Sequence, residues 1–225
     1  MDRPHPRLCT PIRTALLAFA LALAAGSARS QKPPDITSGE MALIPAYCPH
    51  TMGFEYGDQY TNTSPQAGRW VATMGRGFWA VHHYCWGLIK ERRALLPGQR
   101  KEIREGLLKS VVGEYQYVIR NSPADFVLLP ELFVKLGDTY RRLDDYANAL
   151  AAFETARVKK PDYWPACTRW AELLADVGRK PEARTYLEGC MRVMDSPQLR
   201  ALYSRLGGNP NWRPPAAAAS SASSP

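Results

Sequence analysis

The chain lacks the local signatures of the common catalytic and cofactor-binding classes. It has no G-x-S-x-G elbow, no glycine-rich phosphate loop and no H-E-x-x-H pair. A strained serine nucleophile, a nucleotide-phosphate cradle and zinc-peptidase chemistry therefore have no local support. C-x-x-C-H, the attachment motif for covalent haem, is absent too. Histidine is scarce, at four residues. Lys and Arg number 29 against 21 acids, a formal charge of +8, yet no run of clustered basic residues occurs. Glu91-Arg92-Arg93 and Arg100-Lys101-Glu102 mix both signs and read as solvated helix faces, so nucleic acid is not an expected partner. Asp144-Asp145 falls in a predicted turn, and neither Glu114 nor Glu131 has a partner readable from the sequence. The expectation is a protein that is not an enzyme and carries no cofactor.

What is present begins with an export signature. Arg3, Arg7 and Arg13 precede the apolar run Ala15–Ala25, eleven residues long and too short to span a bilayer comfortably. Ala28-Arg29-Ser30 supplies small residues for a signal peptidase, so residues 1–30 read as a signal peptide cleaved before Gln31. The segment holds Arg3, Arg7, Arg13 and Arg29 against Asp2, which leaves a mild +5 on the remainder. Cys9 lies ahead of the apolar run, where a lipoprotein cysteine cannot be, and leaves with the signal. Cys48, Cys85, Cys167 and Cys190 remain, an even number that in an exported chain suggests disulfides, with three possible pairings. The expected location is periplasmic or secreted, with no transmembrane span once the signal is removed.

Residues 31–63 show little helical periodicity and are punctuated by Pro33, Pro34, Gly39, Pro45, Pro49, Gly53 and Gly57. They also carry Ile44, Tyr47, Met52, Phe54, Tyr56 and Tyr60, too many large apolar groups to leave in water. An ordered but irregular arm, reaching to about residue 76, is expected. Ser64-Pro65 reads as a helix start, with Ser64 as the cap. Two helices follow over 77–123. The first is predicted from Phe78 to Leu95, with Trp79, His82 or His83, Trp86, Ile89 and Arg93 at helical spacing. The second runs from about Gln99 to Arg120, with Ile103, Leu107, Val111, Tyr115 and Val118 on one side. A helix over 198–208 carries Leu199, Leu202, Tyr203 and Leu206, and residues 209–225 form a Pro/Ala/Ser tail expected to be disordered.

The clearest pattern lies between Pro130 and Asp162. It reads Phe133-x2-Leu136-Gly137-x2-Tyr140, then Ala149-x3-Phe153, Ala156 and Pro161. Phe133, Leu136, Gly137 and Tyr140 fall at i, i+3, i+4 and i+7, one face of a helix, and Gly137 and Ala149 are small where two helices must approach. Pro161 ends the second helix. Thirty-four residues on, Cys167-x2-Trp170-Ala171-x2-Leu174 and Ala183-x3-Leu187 keep the same spacing. This resembles the tetratricopeptide repeat (TPR), with Phe133 in place of the usual Trp. Units at 130–163 and 164–197 are expected, with a degenerate TPR-like hairpin at 77–123 and a capping helix after them. The blocks Ala46-Tyr47-Cys48-Pro49 and His82-His83-Tyr84-Cys85-Trp86 look like those of exported bacterial TPR proteins, a likeness that assigns no function. The implied fold is all-α: antiparallel helical hairpins in a right-handed superhelix, behind an irregular arm.

The resemblance also selects a cysteine pairing. Cys167 and Cys190 take positions that face one another inside a repeat hairpin, so they are expected to bridge, leaving Cys48 to Cys85. It implies a concave, partner-binding groove formed by first helices. The groove positions here are Glu131, Val134, Lys135, Asp138, Arg141 and Arg142, followed by Thr168, Arg169, Glu172 and Asp176. Tyr163 and Trp164 are candidate aromatic anchors. Val134 and Asp138 stand at two positions of the basic-and-Asn clamp that some relatives use for a C-terminal carboxylate, so chaperone-tail binding is not implied. The expected role is non-catalytic: an adaptor or assembly factor of the bacterial envelope, binding a protein or peptide, with homo-oligomerisation open. The alternative is a metal- or haem-associated accessory protein using Cys48, His50, His82, His83 and Cys85, although their spacing matches no known zinc finger.

Overall fold

Proline, glycine and short polar caps set the helix boundaries in the computed structural model, which describes residues 32–54 and 64–214. The predicted signal segment, Tyr56 and Tyr60 of the arm, and residues 215–225 of the tail lie outside the described residues; residues 209–214, expected to be disordered, are ordered because Trp212 packs on Tyr203 and its carbonyl accepts from Arg200 at 3.3 Å. A one-turn helix, α1 (Ser38–Met41), starts at Thr37, whose hydroxyl accepts from the Glu40 amide while the Glu40 carboxylate reaches back to the Thr37 amide. Next come α2 (Ala67–Met74), α3 (Val81–Ala94) and α4 (Lys101–Asn121). They are followed by α5 (Leu129–Arg142), α6 (Tyr146–Lys159), α7 (Trp164–Asp176), α8 (Lys180–Val193) and α9 (Pro197–Arg205). Prolines 130, 165, 181 and 197 each stand in the first turn of their helix, where the missing N–H has no intrahelical partner to lose. Gly178, at φ 83°, turns the chain out of α7, and Asp144, at φ 59°, does so after α5. The side chain of Asp145 then accepts from the Asn148 amide to cap α6.

The protein is all-α, and no strand occurs among the described residues. Consecutive helices pack in pairs, α3 on α4, α5 on α6 and α7 on α8. α4 also packs on α5 and α6 on α7, while α5 lies beside α7 and α7 beside α9. The array is held by three apolar clusters. One joins the arm, α3, α4 and the start of α5; a second lies between α5, α6 and α7; a third lies between α7, α8 and α9.

Glycine fixes the spacing within pairs. A methyl group at Gly137 would stand 2.6 Å from Cδ1 of the buried Phe153, and one at Gly87 would stand 2.9 Å from Cδ1 of Tyr115. Ala171 and Leu187, both buried, occupy the corresponding places of the third pair. The disulfides are Cys48–Cys85 and Cys167–Cys190, the pairings named above. The first ties the arm to α3, and the second joins α7 to α8.

The structure corrects the sequence reading at several places. Helix α2 starts at Ala67, and Ser64 sits in the preceding turn, where its Oγ accepts from the Gln66 amide at 3.3 Å. The chain over 76–80 is a tight 3-10 turn, and it is Phe78 that enters the core while Trp79 is 51% exposed. Helix α3 has no single apolar stripe, because the arm covers one side and α4 and α5 the others; all of Val81–Cys85 is buried. On α4 the buried stripe is Leu108, Val111, Tyr115 and Val118, whereas Ile103 is exposed and Leu107 half-buried. At 21 residues α4 is longer than the 14-residue α3, and its first turns run past the end of its partner.

Candidate functional site

Three helices contribute the same face to one groove. From α5 come Glu131, Val134, Lys135 and Asp138; from α7 come Pro165, Thr168, Arg169 and Glu172; from α9 come Gln198, Ala201, Leu202 and Arg205. Each set falls at i, i+3, i+4 and i+7, a single helical stripe. The groove has a volume of about 420 Å³, and Tyr163 and Trp164 line it at the start of α7.

The sequence-predicted positions divide into two groups. Glu131, Val134, Lys135, Asp138, Thr168, Arg169 and Glu172 line the groove, as do the two aromatic residues. Arg141, Arg142 and Asp176 do not. Arg142 turns toward α3, with Nη1 3.0 Å from Glu91, and Arg141 spans to α7, 3.6 Å from Asp176 and 3.9 Å from Glu172. Both sit at the end of α5, past the last groove-facing turn. The residues the sequence reading missed are those of α9, treated there as a cap. A signal for them exists: Gln198, Ala201, Leu202 and Arg205 stand 33 residues after Pro165, Thr168, Arg169 and Glu172, nearly the spacing that relates α7 to α5.

The charges in the groove are arranged rather than scattered. Arg169 holds Asp138 Oδ2 through Nε at 3.2 Å and Glu172 through Nη1 at 2.7 Å. Arg205 lies 3.5 Å from Glu172. Lys135 is drawn to Glu91, at 3.3 Å. Glu91 is a buried hub between three helices, since Tyr115 also donates to it from α4 at 3.2 Å. Glu131 accepts from the phenol of Tyr84. Asp138 is 8% exposed, and its Oδ1 is buried with no donor. Burial raises its carboxyl pKa above the ordinary value, outweighing the nearby Arg169, Arg142 and Arg141, which act to lower it.

A second polar cluster lies between α3 and α4. Glu114 is 0% exposed; His83 Nδ1 meets its Oε2 at 2.5 Å, and Lys90 donates to its other oxygen and to Ser110 at 2.9 Å. His82 donates through Nδ1 to the Trp79 carbonyl at 3.1 Å, and its ring lies 4.9 Å from that of Trp86. Burial, reinforced by the neighbouring His83, lowers the His82 pKa to about 4. The rings of His82 and His83 are 4.3 Å apart, so both enter one aromatic cluster, although neighbouring positions on a helix normally point apart. The metal alternative loses its sulfur ligands here, because Cys48 and Cys85 are bonded to each other. His50 Nδ1 is engaged with Ser64 Oγ at 2.8 Å. Among the described residues, no group of three or more His, Cys, Asp or Glu side chains is placed to hold a metal ion, and no helix is long and apolar enough to cross a membrane. Two disulfides are compatible with an oxidising extracellular compartment.

Comparison with known protein families and with curated proteins finds no match to this chain.

Proposed function

We propose that the chain is a non-catalytic, TPR-like binding module, an adaptor or assembly factor of the bacterial envelope, exported by its N-terminal signal. The observation that carries this reading is the groove. Three helices align equivalent faces, and the resulting surface combines charged side chains with Trp164, 39% exposed. A surface of that kind recognises a polypeptide segment through a buried anchor and a polar rim. The paired cysteines support a periplasmic or secreted location for the mature chain from about Gln31, where a thiol protein would be oxidised.

The test is photo-crosslinking in the native envelope. A benzoyl-phenylalanine placed at Trp164 or Arg205 should capture a defined protein, and one placed at Val158, which is exposed and does not line the groove, should not. Equal capture from all three positions, or capture from Val158 alone, would place the interface elsewhere.

A further inference from the structure

Within the groove, every cation is paired with a carboxylate, and one carboxylate among the described residues, Glu131, is paired with no cation. Each lining cation has a carboxylate near it: Lys135 has Glu91 at 3.3 Å, Arg169 has Glu172 at 2.7 Å and Asp138 at 3.2 Å, and Arg205 has Glu172 at 3.5 Å. Among the described residues, Glu131 has no ion-pair partner; it accepts a hydrogen bond from the neutral phenol of Tyr84. Asp138 carries the second deficit, an oxygen more than nine-tenths buried that meets no donor. A buried carboxylate oxygen left without a donor is destabilising, so the Asp138 side of the groove gains from added positive charge. Glu131 and Asp138 are seven residues apart on one face of α5, about 10 Å along the axis at 1.5 Å per residue. Lys135 stands between them in sequence, but its amine is drawn off to Glu91.

We propose that the groove selects a protein segment presenting a lysine or arginine side chain to the Glu131–Asp138 face of α5, with Trp164 lining the same site. The proposal rests on the groove being the binding face and adds what it reads. An acidic segment is disfavoured, because every cation it could use is already held. A cationic side chain gives Glu131 the counter-charge it lacks and adds to the single ion pair that Asp138 makes with Arg169, and the indole of Trp164 in the same groove attracts the same cation. The raised carboxyl pKa of Asp138 agrees with this, since an ionised oxygen without a donor is stabilised most by an arriving positive charge.

The probe is a randomised dodecapeptide library displayed on phage and selected on the disulfide-bonded chain, followed by synthesis of the most enriched peptide and titration by fluorescence anisotropy. The expected result is one basic residue recurring at a fixed position. Acetylating that lysine, or replacing that arginine by glutamine, should weaken binding at least tenfold to the unaltered protein. Asp138→Asn, checked for folding by circular dichroism, should weaken the basic peptide to a similar extent. The peptide modification needs no protein variant, so a misfolded Asp138→Asn would not rescue the idea. Enriched peptides without a basic residue, or neutralised peptides that bind as well, overturn the cation proposal while leaving the groove intact if Trp164→Ala and Arg205→Glu still weaken binding. Binding untouched by Trp164→Ala and Arg205→Glu overturns the groove reading itself, and failure to enrich any peptide counts against both. Self-association that masks the groove and is abolished by Trp164→Ala would make a second copy the occupant and likewise overturn the proposal.

Discussion

A methyl group added at Gly137 should destabilise the protein, while the same substitution at Gly106 should stabilise it. Both glycines lie inside helices, α5 and α4, so each change gains about 1 kcal/mol of helix propensity. They differ in what the methyl meets. At Gly106 nothing lies within 4 Å. At Gly137 the new carbon would stand 2.6 Å from Cδ1 and 2.9 Å from Cζ of Phe153, a ring with 0% exposure. Neither the ring nor α6 can yield without moving the cluster shared with α7. Overpacking of this kind costs typically about 1–3 kcal/mol, and three ring atoms under 3 Å put it at the upper end. The expected balance is a loss of about 2 kcal/mol at Gly137 against a gain of about 1 at Gly106, a separation of roughly 3. Urea unfolding of the oxidised protein, followed by circular dichroism at 222 nm, reads both changes as midpoint shifts at constant slope. A Gly137→Ala variant as stable as Gly106→Ala would refute the close approach of α5 and α6, and with it the register that places Asp138 in the groove.

Three further outcomes follow from the polar and covalent contacts. Replacing Cys167 and Cys190 together by alanine should cost roughly 3 kcal/mol, from the loop closed over a separation of 23 residues, and replacing Cys48 and Cys85 about 4, from a separation of 37; urea midpoints measure both. Glu114→Leu should cost about 3–5 kcal/mol, because it strips the buried Lys90 of its carboxylate, and thermal unfolding should show a lower midpoint at every pH near neutrality. His82 is held neutral in the folded state, with a pKa lowered to about 4. The unfolded chain takes up that proton near pH 6.5, so stability should fall as pH drops from 6.5 to 4, by about 3 kcal/mol at most, and His82→Phe should flatten this limb of the stability profile.

The sequence was informative wherever a contact repeats at fixed spacing. Gly137 with Phe153 and Ala171 with Leu187 are each 16 residues apart, and that period alone places two hairpins and aligns α7 with α5. The first pair uses the same device, but Gly87 and Tyr115 are separated by 28 residues, since α4 is lengthened by its overhang and the turn before it. A fixed-period reading finds that hairpin only as a degenerate one. On α3 periodicity found the helix but not its buried faces: it expects one wet side, and α3 has the arm where water would be. The groove was half legible. Its walls on α5 and α7 follow from the repeat, but the diversion of Lys135 and Arg142 to Glu91 spans 44 and 51 residues and depends on α3 standing next to α5. No local pattern encodes that pairing, and it is the pairing that separates Arg142 from the site.

The placement of the disulfides follows from the same one-dimensional logic. In a stacked array each unit is supported by its neighbours, so a terminal unit lacks support on one side. The middle pair, α5 with α6, is flanked by α4 and α7 and contains no cysteine. The bridges lie outside it, one tying the arm to α3 and the other locking α7 to α8. Each constrains a unit whose apolar cluster is closed on its outer side by something other than a full helical pair: an irregular arm in the first case, the nine-residue α9 in the second. Loop-closure entropy is therefore applied at the two ends of the array. The groove draws its walls from α5, α7 and α9, so its α9 side depends on the α7–α8 bridge holding the base on which α9 rests. Reduction should accordingly loosen the α9 wall, raising hydrogen exchange over Pro197–Arg205 before it reaches Leu129–Arg142. The reverse order would mean that α9 is held by something other than the bridged pair beneath it.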